Sequence, residues 1–232
     1  ADRDGDGIHD GDEAREPFGQ QEIYFTDFEN APAGPGSLDD FADWVIQGEN
    51  SRVIDSIVRP SFPGLGIRSA RITMPANDSD MSNILVYNRA SHDPMATGQP
   101  KIRLSASVAF EIPNPAGHLI SDRERDSFEF TIWNSEGSAL ASLQFYNDAE
   151  FSIWRGDGET LHRLAQNFPE GTLLNLRFEI DLAANSWSVF IDNDSLFADE
   201  TFHLGAERLD LGFTGIILDS ATGGLGDSWD SA

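Results

Sequence analysis

The stretch Leu174-Asn175-Leu176-Arg177-Phe178-Glu179-Ile180-Asp181-Leu182-Ala183-Ala184-Asn185-Ser186-Trp187-Ser188-Val189-Phe190-Ile191-Asp192-Asn193 decides the fold class. Leu174, Leu176, Phe178, Ile180 and Leu182 recur every second residue, and polar or charged side chains stand between them. A strand sends successive side chains to opposite faces, so this period makes one face apolar and the other wet. Ala183-Ala184-Asn185 then interrupts the pattern, which resumes at Trp187, Val189 and Ile191 and stops again at Asp192-Asn193-Asp194. Two half-buried strands joined by short turns are the unit of an antiparallel sheet.

The same period extends outward along the chain. Ile102, Leu104, Ala106, Val108, Phe110 and Ile112 share a face, as do Phe128, Phe130 and Ile132. Shorter examples are Leu143 with Phe145, Phe151 with Ile153, and Leu209, Leu211 and Phe213. Ile23 to Phe28, Val53 to Ile57, Ala70 to Met74 and Ile84 to Tyr87 are further candidate strands. Turn chemistry separates them at Pro63-Gly64, Pro113-Asn114-Pro115, Asn134 to Gly137, Asn147-Asp148 and Gly156-Asp157-Gly158. The pattern predicts an all-β, two-sheet antiparallel sandwich of the jelly-roll type over residues 20–232. A single helical turn is expected near Ser37 to Trp44, with Ser37 as its cap.

Residues 2–13 read differently. Counted from Asp2, oxygen ligands fall at positions 1, 3 and 5 (Asp2, Asp4, Asp6), Gly7 stands where the chain must turn, and Ile8 offers its carbonyl. Asp10 at position 9 and Glu13 at position 12 complete a shell of the kind a hard cation needs, so Ca2+ is the expected ligand. Within this sequence only Ala1 precedes the loop and Pro17 follows soon after it, so the flanking helices of an EF-hand are not expected. The motif resembles one thrombospondin type 3 repeat. The resemblance implies that residues 1–19 form a calcium-stiffened spacer between modules of a secreted bacterial protein.

Composition bounds the partners. Of 232 residues, 40 are acidic and 15 basic, for a formal net charge of -25. Such a surface repels nucleic-acid phosphates and anionic lipid, and it favours divalent cations. There is no cysteine, so disulfides and thiolate metal sites are excluded. No apolar run approaches the ~18 residues of a membrane span. No leader pattern opens the chain, which is expected to be a mature form or an excised fragment.

If the apolar faces point inward, the opposite faces carry the ligand chemistry. They present Arg103, Ser105 and Ser107, then Glu129, Thr131 and Trp133, then Gln144 and Tyr146, then Ser152 and Trp154. Aromatic rings on an outer face are stabilised when something covers them, and the C–H faces of sugars do so while neighbouring polar groups bond the hydroxyls. The candidate ligand set is Arg103, Glu129, Trp133, Gln144, Tyr146 and Trp154, and polysaccharide or oligosaccharide is the expected partner. A loop such as Asn88 to Pro100 covering these residues is the competing expectation.

Two further stretches carry a resemblance. Phe25-Thr-Asp-Phe-Glu-Asn-Ala-Pro-Ala-Gly34 looks like the first strand of concanavalin A-like and carbohydrate-binding jelly rolls, and Leu176 to Asn193 is similar to their late hairpin. The resemblance spans residues 22–220. It implies a structural calcium near the chain ends, for which Asp27, Glu29 and Asp227 or Asp230 are candidates. It also implies a last strand beside the first, but the chain ends in Gly223-Gly-Leu-Gly-Asp-Ser-Trp-Asp-Ser-Ala232 with no apolar run. Either Ile216 to Leu218 is the closing strand, or the sequence is expected to stop short of it.

One hydrolase family among the concanavalin A-like sandwiches carries Glu-x-Asp-x-x-Glu, whereas here Glu179-Ile180-Asp181 is followed by Ala184 in the place of the last acid. A retaining pair of carboxylates is missing, so Glu179 and Asp181 read as a solvated strand face. A lyase would need a base and a carboxylate-neutralising group, for which Arg103, Gln144 and Tyr146 are the candidates. The histidines His9, His92, His118, His162 and His203 have no metal-ligand spacing. Three readings follow. The first is a non-catalytic carbohydrate-binding module, monomeric and tethered within a larger secreted or cell-surface bacterial protein. The second is a polysaccharide lyase or hydrolase, and the third a structural or adhesive surface module.

Overall fold

A computed structural model describes residues 34–35, 44–48, 54–58, 68–73, 82–111, 127–146, 152–156, 160–169, 171–201, 208–220 and 228–231. The strands in chain order are β1 (Gly34–Pro35), β2 (Trp44–Gly48), β3 (Ile54–Val58), β4 (Arg68–Thr73), β5 (Ser82–Asn88), β6 (Lys101–Glu111), β7 (Ser127–Trp133) and β8 (Ala139–Tyr146). They continue as β9 (Ser152–Gly156), β10 (Leu161–Asn167), β11 (Leu173–Asp181), β12 (Ser186–Ile191), β13 (Asp194–Thr201), β14 (Phe213–Ser220) and β15 (Ser228–Ser231). One short helical turn, α1 (Pro94–Thr97), follows β5.

The strands form two antiparallel sheets. One runs β1-β3-β4-β15-β6-β11-β12-β13 and the other β10-β9-β8-β7-β14-β5-β2. This is the expected jelly-roll sandwich. Consecutive strands pair within β3–β4, within β7 to β10 and within β11 to β13, and the other pairings join strands apart in the chain, because it crosses repeatedly from one sheet to the other.

The deciding stretch forms the hairpin β11–β12, with Asp181 opposite Ser186. Asn185 takes a left-handed φ of 53° to close its turn, and Asp181 Oδ1 accepts the N–H groups of Ala183 and Ala184. The next hairpin, β12–β13, turns on Asp192 and Asn193 alone, both at positive φ (50° and 72°). Two successive left-handed residues match the right-handed twist of the flanking strands, and Asp and Asn tolerate that region better than most side chains.

The core lies between the sheets. Phe110 of β6 is fully buried and reaches across to Phe128 of β7 and Phe145 of β8, with ring centroids at 5.3 and 4.9 Å. Phe130 of β7 meets Phe178 of β11 at 5.5 Å, and Phe168, after β10, closes on Phe110 at 4.9 Å. Each such side chain contributes about 1.5–3 kcal/mol by leaving water. These contacts fix which residues of β7 and β8 face outward. Phe128 and Phe145 point into the core, so Glu129 and Gln144 do not.

Several expectations are corrected. Leu209, Leu211 and Phe213 do not form one strand. Leu211 makes an isolated bridge to His92, and β14 begins at Phe213. The terminal residues, despite their lack of apolar character, supply β15, which sits between β4 and β6. Ile216 to Leu218 instead belongs to β14, in the middle of the seven-stranded sheet. Trp44 opens β2 rather than ending a helix. The rest of the expected helical turn, the strand at Ile23 to Phe28 and the whole of residues 1–19 lie outside the described residues.

Candidate functional site

The outer face of the seven-stranded sheet gathers most of the expected ligand set. Residues directly opposite each other across a ladder share a face. Glu129 of β7 pairs with Gln144 of β8, Gln144 with Trp154 of β9, and Trp154 with Arg163 of β10. Adjacent strands lie about 4.8 Å apart, so this row of four side chains spans about 14 Å. Thr131 pairs with Ser142, and Ser142 with Gly156, in the row beside it. Ser127 pairs with Tyr146 in the row on the other side.

The face is polar and closely knit. Thr131, Ser142, Gln144 and Ser152 are all buried, and Ser152 is fully so. Thr131 Oγ1 donates to Glu129 Oε1. Tyr146 Oη donates to Gln144 Oε1 at 2.8 Å, and Trp154 Nε1 donates to Ser152 Oγ at 2.9 Å. Tyr146 and Trp154 stand edge to face with centroids 6.1 Å apart. The indole and phenol are therefore held in place by their polar ends while each ring stays partly open. The floor is low because Gly156 has no Cβ. One built there would run into Ser142 Oγ.

Two members of the set behave otherwise. Trp133 lies on the expected face but is only 8% exposed, stacked on Phe213 of β14 at 4.7 Å and 18°. It closes one end of the face as a wall with Phe213, whose ring also meets Tyr87 of β5 at 5.1 Å, and is not an open platform. Arg103 is on the other sheet, opposite Glu179 of β11. Alternation along β6 turned it outward as expected, but outward on the eight-stranded sheet.

There it joins a row of surface ion pairs. Arg103 and Arg177 both approach Glu179 (3.6 and 3.5 Å), and Lys101 approaches Asp181 at 3.6 Å. Arg177 also lies over the Phe190 ring at 4.1 Å. Exposed pairs of this length contribute about 0–1 kcal/mol each. Glu179 and Asp181 thus form the solvated strand face expected of them, and Asp181 serves the hairpin turn.

One end of the seven-stranded sheet is fastened by a network the sequence did not suggest. Asp210 is buried and accepts from Arg208 Nε at 2.7 Å, Ser135 N at 2.9 Å and Ser135 Oγ at 2.7 Å. Arg208 also donates to Asp93 Oδ2 at 3.0 Å. Asp93 caps α1 by accepting from Met95 N and Ala96 N. These backbone donors hold its carboxyl below the ordinary Asp value, with a smaller contribution from Arg208. The segment Asn88 to Pro100, expected as a possible cover, is anchored by this network and by the backbone bridge between His92 and Leu211.

Among the described residues no group of three or more acidic or imidazole side chains is placed to hold a metal ion. The expected calcium ligands Asp2, Asp4, Asp6, Ile8, Asp10 and Glu13 lie outside those residues, as do Asp27, Glu29 and Asp227. The backbone of Asp230 pairs with Arg71 and Ala109 within β15. No helix among the described residues is long and apolar enough to cross a membrane.

The two antiparallel sheets define a jelly-roll sandwich. Solved structures with this fold include an endo-β-1,4-glucuronan lyase from the fungus Trichoderma reesei (TM-score 0.56, 9% identity), where the match covers 80% of this chain and 87% of that one. An alginate lyase, Aly36B, in complex with an alginate trisaccharide, matches at TM-score 0.53 and 11% identity over 90% of this chain and 94% of that one. A sialidase matches at TM-score 0.55 and 8% identity over 87% of this chain, which spans only 18% of the sialidase. At these identities the likeness is one of fold. No protein-family model matches the sequence, and neither does any curated protein.

Proposed function

We propose that this chain is a non-catalytic carbohydrate-binding module that takes an extended polysaccharide across the outer face of its seven-stranded sheet. One observation carries the reading. Tyr146 and Trp154 are fixed edge to face by their bonds to Gln144 and Ser152, and both rings stay partly open on a face whose residues Thr131, Ser142, Gln144 and Ser152 are buried. Partly open rings stack on sugar C–H faces, and fixed polar groups beside them bond hydroxyls, which gives affinity and orientation together. The solved lyases of this fold, one holding an alginate trisaccharide, support a carbohydrate ligand.

Affinity electrophoresis against a panel of neutral and acidic polysaccharides tests the reading. Trp154→Ala should weaken retardation by about tenfold, since covering a large apolar side chain from water is worth about 1.5–3 kcal/mol. Unchanged retardation by Trp154→Ala in a folded protein would refute it.

A second reading, a polysaccharide lyase, rests on the 2.8 Å hydrogen bond from Tyr146 Oη to Gln144 Oε1. A tyrosine beside an amide is a base paired with a carboxylate-binding group. Arg103, on the other sheet, can take no part in it. Absorbance of unsaturated products, abolished in Tyr146→Phe, would favour this reading over the first.

The module belongs, on this account, to a secreted or cell-surface protein of several modules. The loop Asp2, Asp4, Asp6, Ile8, Asp10 and Glu13 would bind Ca2+ through its carboxylates and one carbonyl, stiffening the spacer. Calorimetric titration with Ca2+ should give one site that Asp4→Asn with Asp6→Asn removes. An unchanged isotherm in that variant would place the ion elsewhere.

A further inference from the structure

We infer that Leu161, on the edge strand β10, extends the carbohydrate face with an apolar subsite, and that the ligand carries an acetyl group whose methyl lies against it. This inference rests on the carbohydrate reading above and adds the ligand class, an acetylated glycan.

Among the described residues two large apolar side chains stand open to water, Met95 at 91% and Leu161 at 43%. Met95 belongs to the helical turn α1, whereas Leu161 belongs to the sheet that carries the candidate site. Register puts Leu161 on the outer face of that sheet. It stands directly opposite Gly156, which stands opposite Ser142, and Ser142 stands opposite Thr131. Residues opposite each other across a ladder share a face, so Leu161 continues the face of Trp154. The space over Gly156 shows the same thing, since a Cβ built there would come within 3.2 Å of Leu161 Cδ2.

Three side chains with open apolar surface then fall on one diagonal. Tyr146 of β8 lies two residues past Gln144, the partner of Trp154 on β9, and Leu161 of β10 partners Gly156, two residues past Trp154. Diagonal neighbours on adjacent strands lie about 7–8 Å apart, within reach of long side chains. Tyr146 and Trp154 already meet at 6.1 Å. The apolar line therefore runs on from Trp154 to Leu161 at the rim of the sheet, where β10 is the outermost strand. Leucine has no donor or acceptor, so a sugar hydroxyl pressed onto it would lose its water and gain no bond. A methyl group there leaves water together with the leucine, which favours binding about fourfold for each group of that size. An acetyl ester or acetamide beside the ring stacked on Trp154 supplies that methyl, while its carbonyl oxygen stays in water at the rim. The group is neutral, so it brings no further negative charge to a chain of net charge -25.

The test uses the full chain and two matched pairs of probes. The first pair is acetylated xylo-oligosaccharides and the same preparation after alkaline removal of its esters. The second is an N-acetylated chito-oligosaccharide and the cello-oligosaccharide of equal length, which differ only in acetamide against hydroxyl. Affinities are measured by calorimetry for the parent chain, Leu161→Asn, Leu161→Met and Trp154→Ala, with circular dichroism as the check on folding. In at least one pair the acetylated member should bind about fourfold tighter, and the pair that shows it tells ester from amide. Leu161→Asn, close in size but polar, should abolish that preference, and Leu161→Met should restore most of it. Trp154→Ala should weaken both members of the pair. Equal affinities within both pairs, or a preference that Leu161→Asn leaves in place, overturns the inference, and the carbohydrate reading stands as long as Trp154→Ala weakens binding. No binding of any probe also overturns the inference, and retention on the polysaccharide panel then decides the broader reading alone. Binding that is indifferent to Trp154→Ala overturns both.

Discussion

Replacing Phe110 by alanine should cost about 3–5 kcal/mol of stability, because the ring is fully buried and cannot be replaced by collapse from one side. Its centroid lies 5.3 Å from Phe128, 4.9 Å from Phe145 and 4.9 Å from Phe168, so the cavity would open at the meeting point of both sheets. Each lost ring pair is worth about 0.5–1.5 kcal/mol beyond area, and these contributions lie within the total just given. For a domain of this size a change of 1 kcal/mol moves Tm by about 2–4 °C, so the expected fall is about 6–20 °C. Thermal unfolding followed by circular dichroism measures it. The same substitution should weaken glycan binding, because Phe128 and Phe145 are the chain neighbours of Glu129 and Gln144 and keep them turned outward. A fall in Tm of less than about 3 °C would mean that these rings do not meet, and the packing of the two sheets would have to be redrawn.

Other substitutions probe the surroundings of the site. Asp210→Ala should destabilise by about 2–4 kcal/mol, since it strips Ser135 N and Oγ of a buried charged acceptor; denaturant titration would show a lower midpoint at unchanged slope. Gly215→Ala should destabilise by about 1–3 kcal/mol through overpacking, because a Cβ there meets Tyr87 Cβ and Val86 O at 2.8 Å and Trp133 Cζ3 at 2.9 Å; an unchanged melting point would mean that the Trp133 indole does not lie over β14. The Asp93 carboxyl titrates below its ordinary value, so the stability it adds is present at neutral pH and is lost as pH falls through its folded-state value. NMR titration of Asp93 should show that lowered midpoint, and Asp93→Asn should remove this part of the acid dependence.

The central strands were legible in the sequence because their two faces meet different solvents. β6, β7, β11 and β12 each have one side in the core, and period-two alternation reports that directly. The edge strands were not legible for the same reason. β10 touches the core only through Leu164 and is otherwise exposed, and the outermost strand β13 is partly exposed on both sides. β15 was missed because it is held through backbone pairing with β4 and β6, to which residue type is a poor guide. Alternation also assigned a face to Glu129, Gln144, Tyr146 and Trp154, and the ladder brought them together. It could not say which sheet a face belongs to, so Arg103 was grouped with residues on the far side of the sandwich. Nor could it see Phe213, eighty residues from Trp133, lying against that indole. Strand order and long-range covering are set by tertiary pairing, which a local pattern does not contain.

The claim that the seven-stranded sheet carries the ligand is tested most directly by a crystal structure of the chain with an oligosaccharide that it retains. The account predicts a sugar ring in van der Waals contact with the Trp154 indole and hydrogen-bonded to Gln144, with the glycan running across β7 to β10. A glycan bound against Arg103 and Arg177 on the opposite sheet, or sugar density away from Trp154, would contradict it.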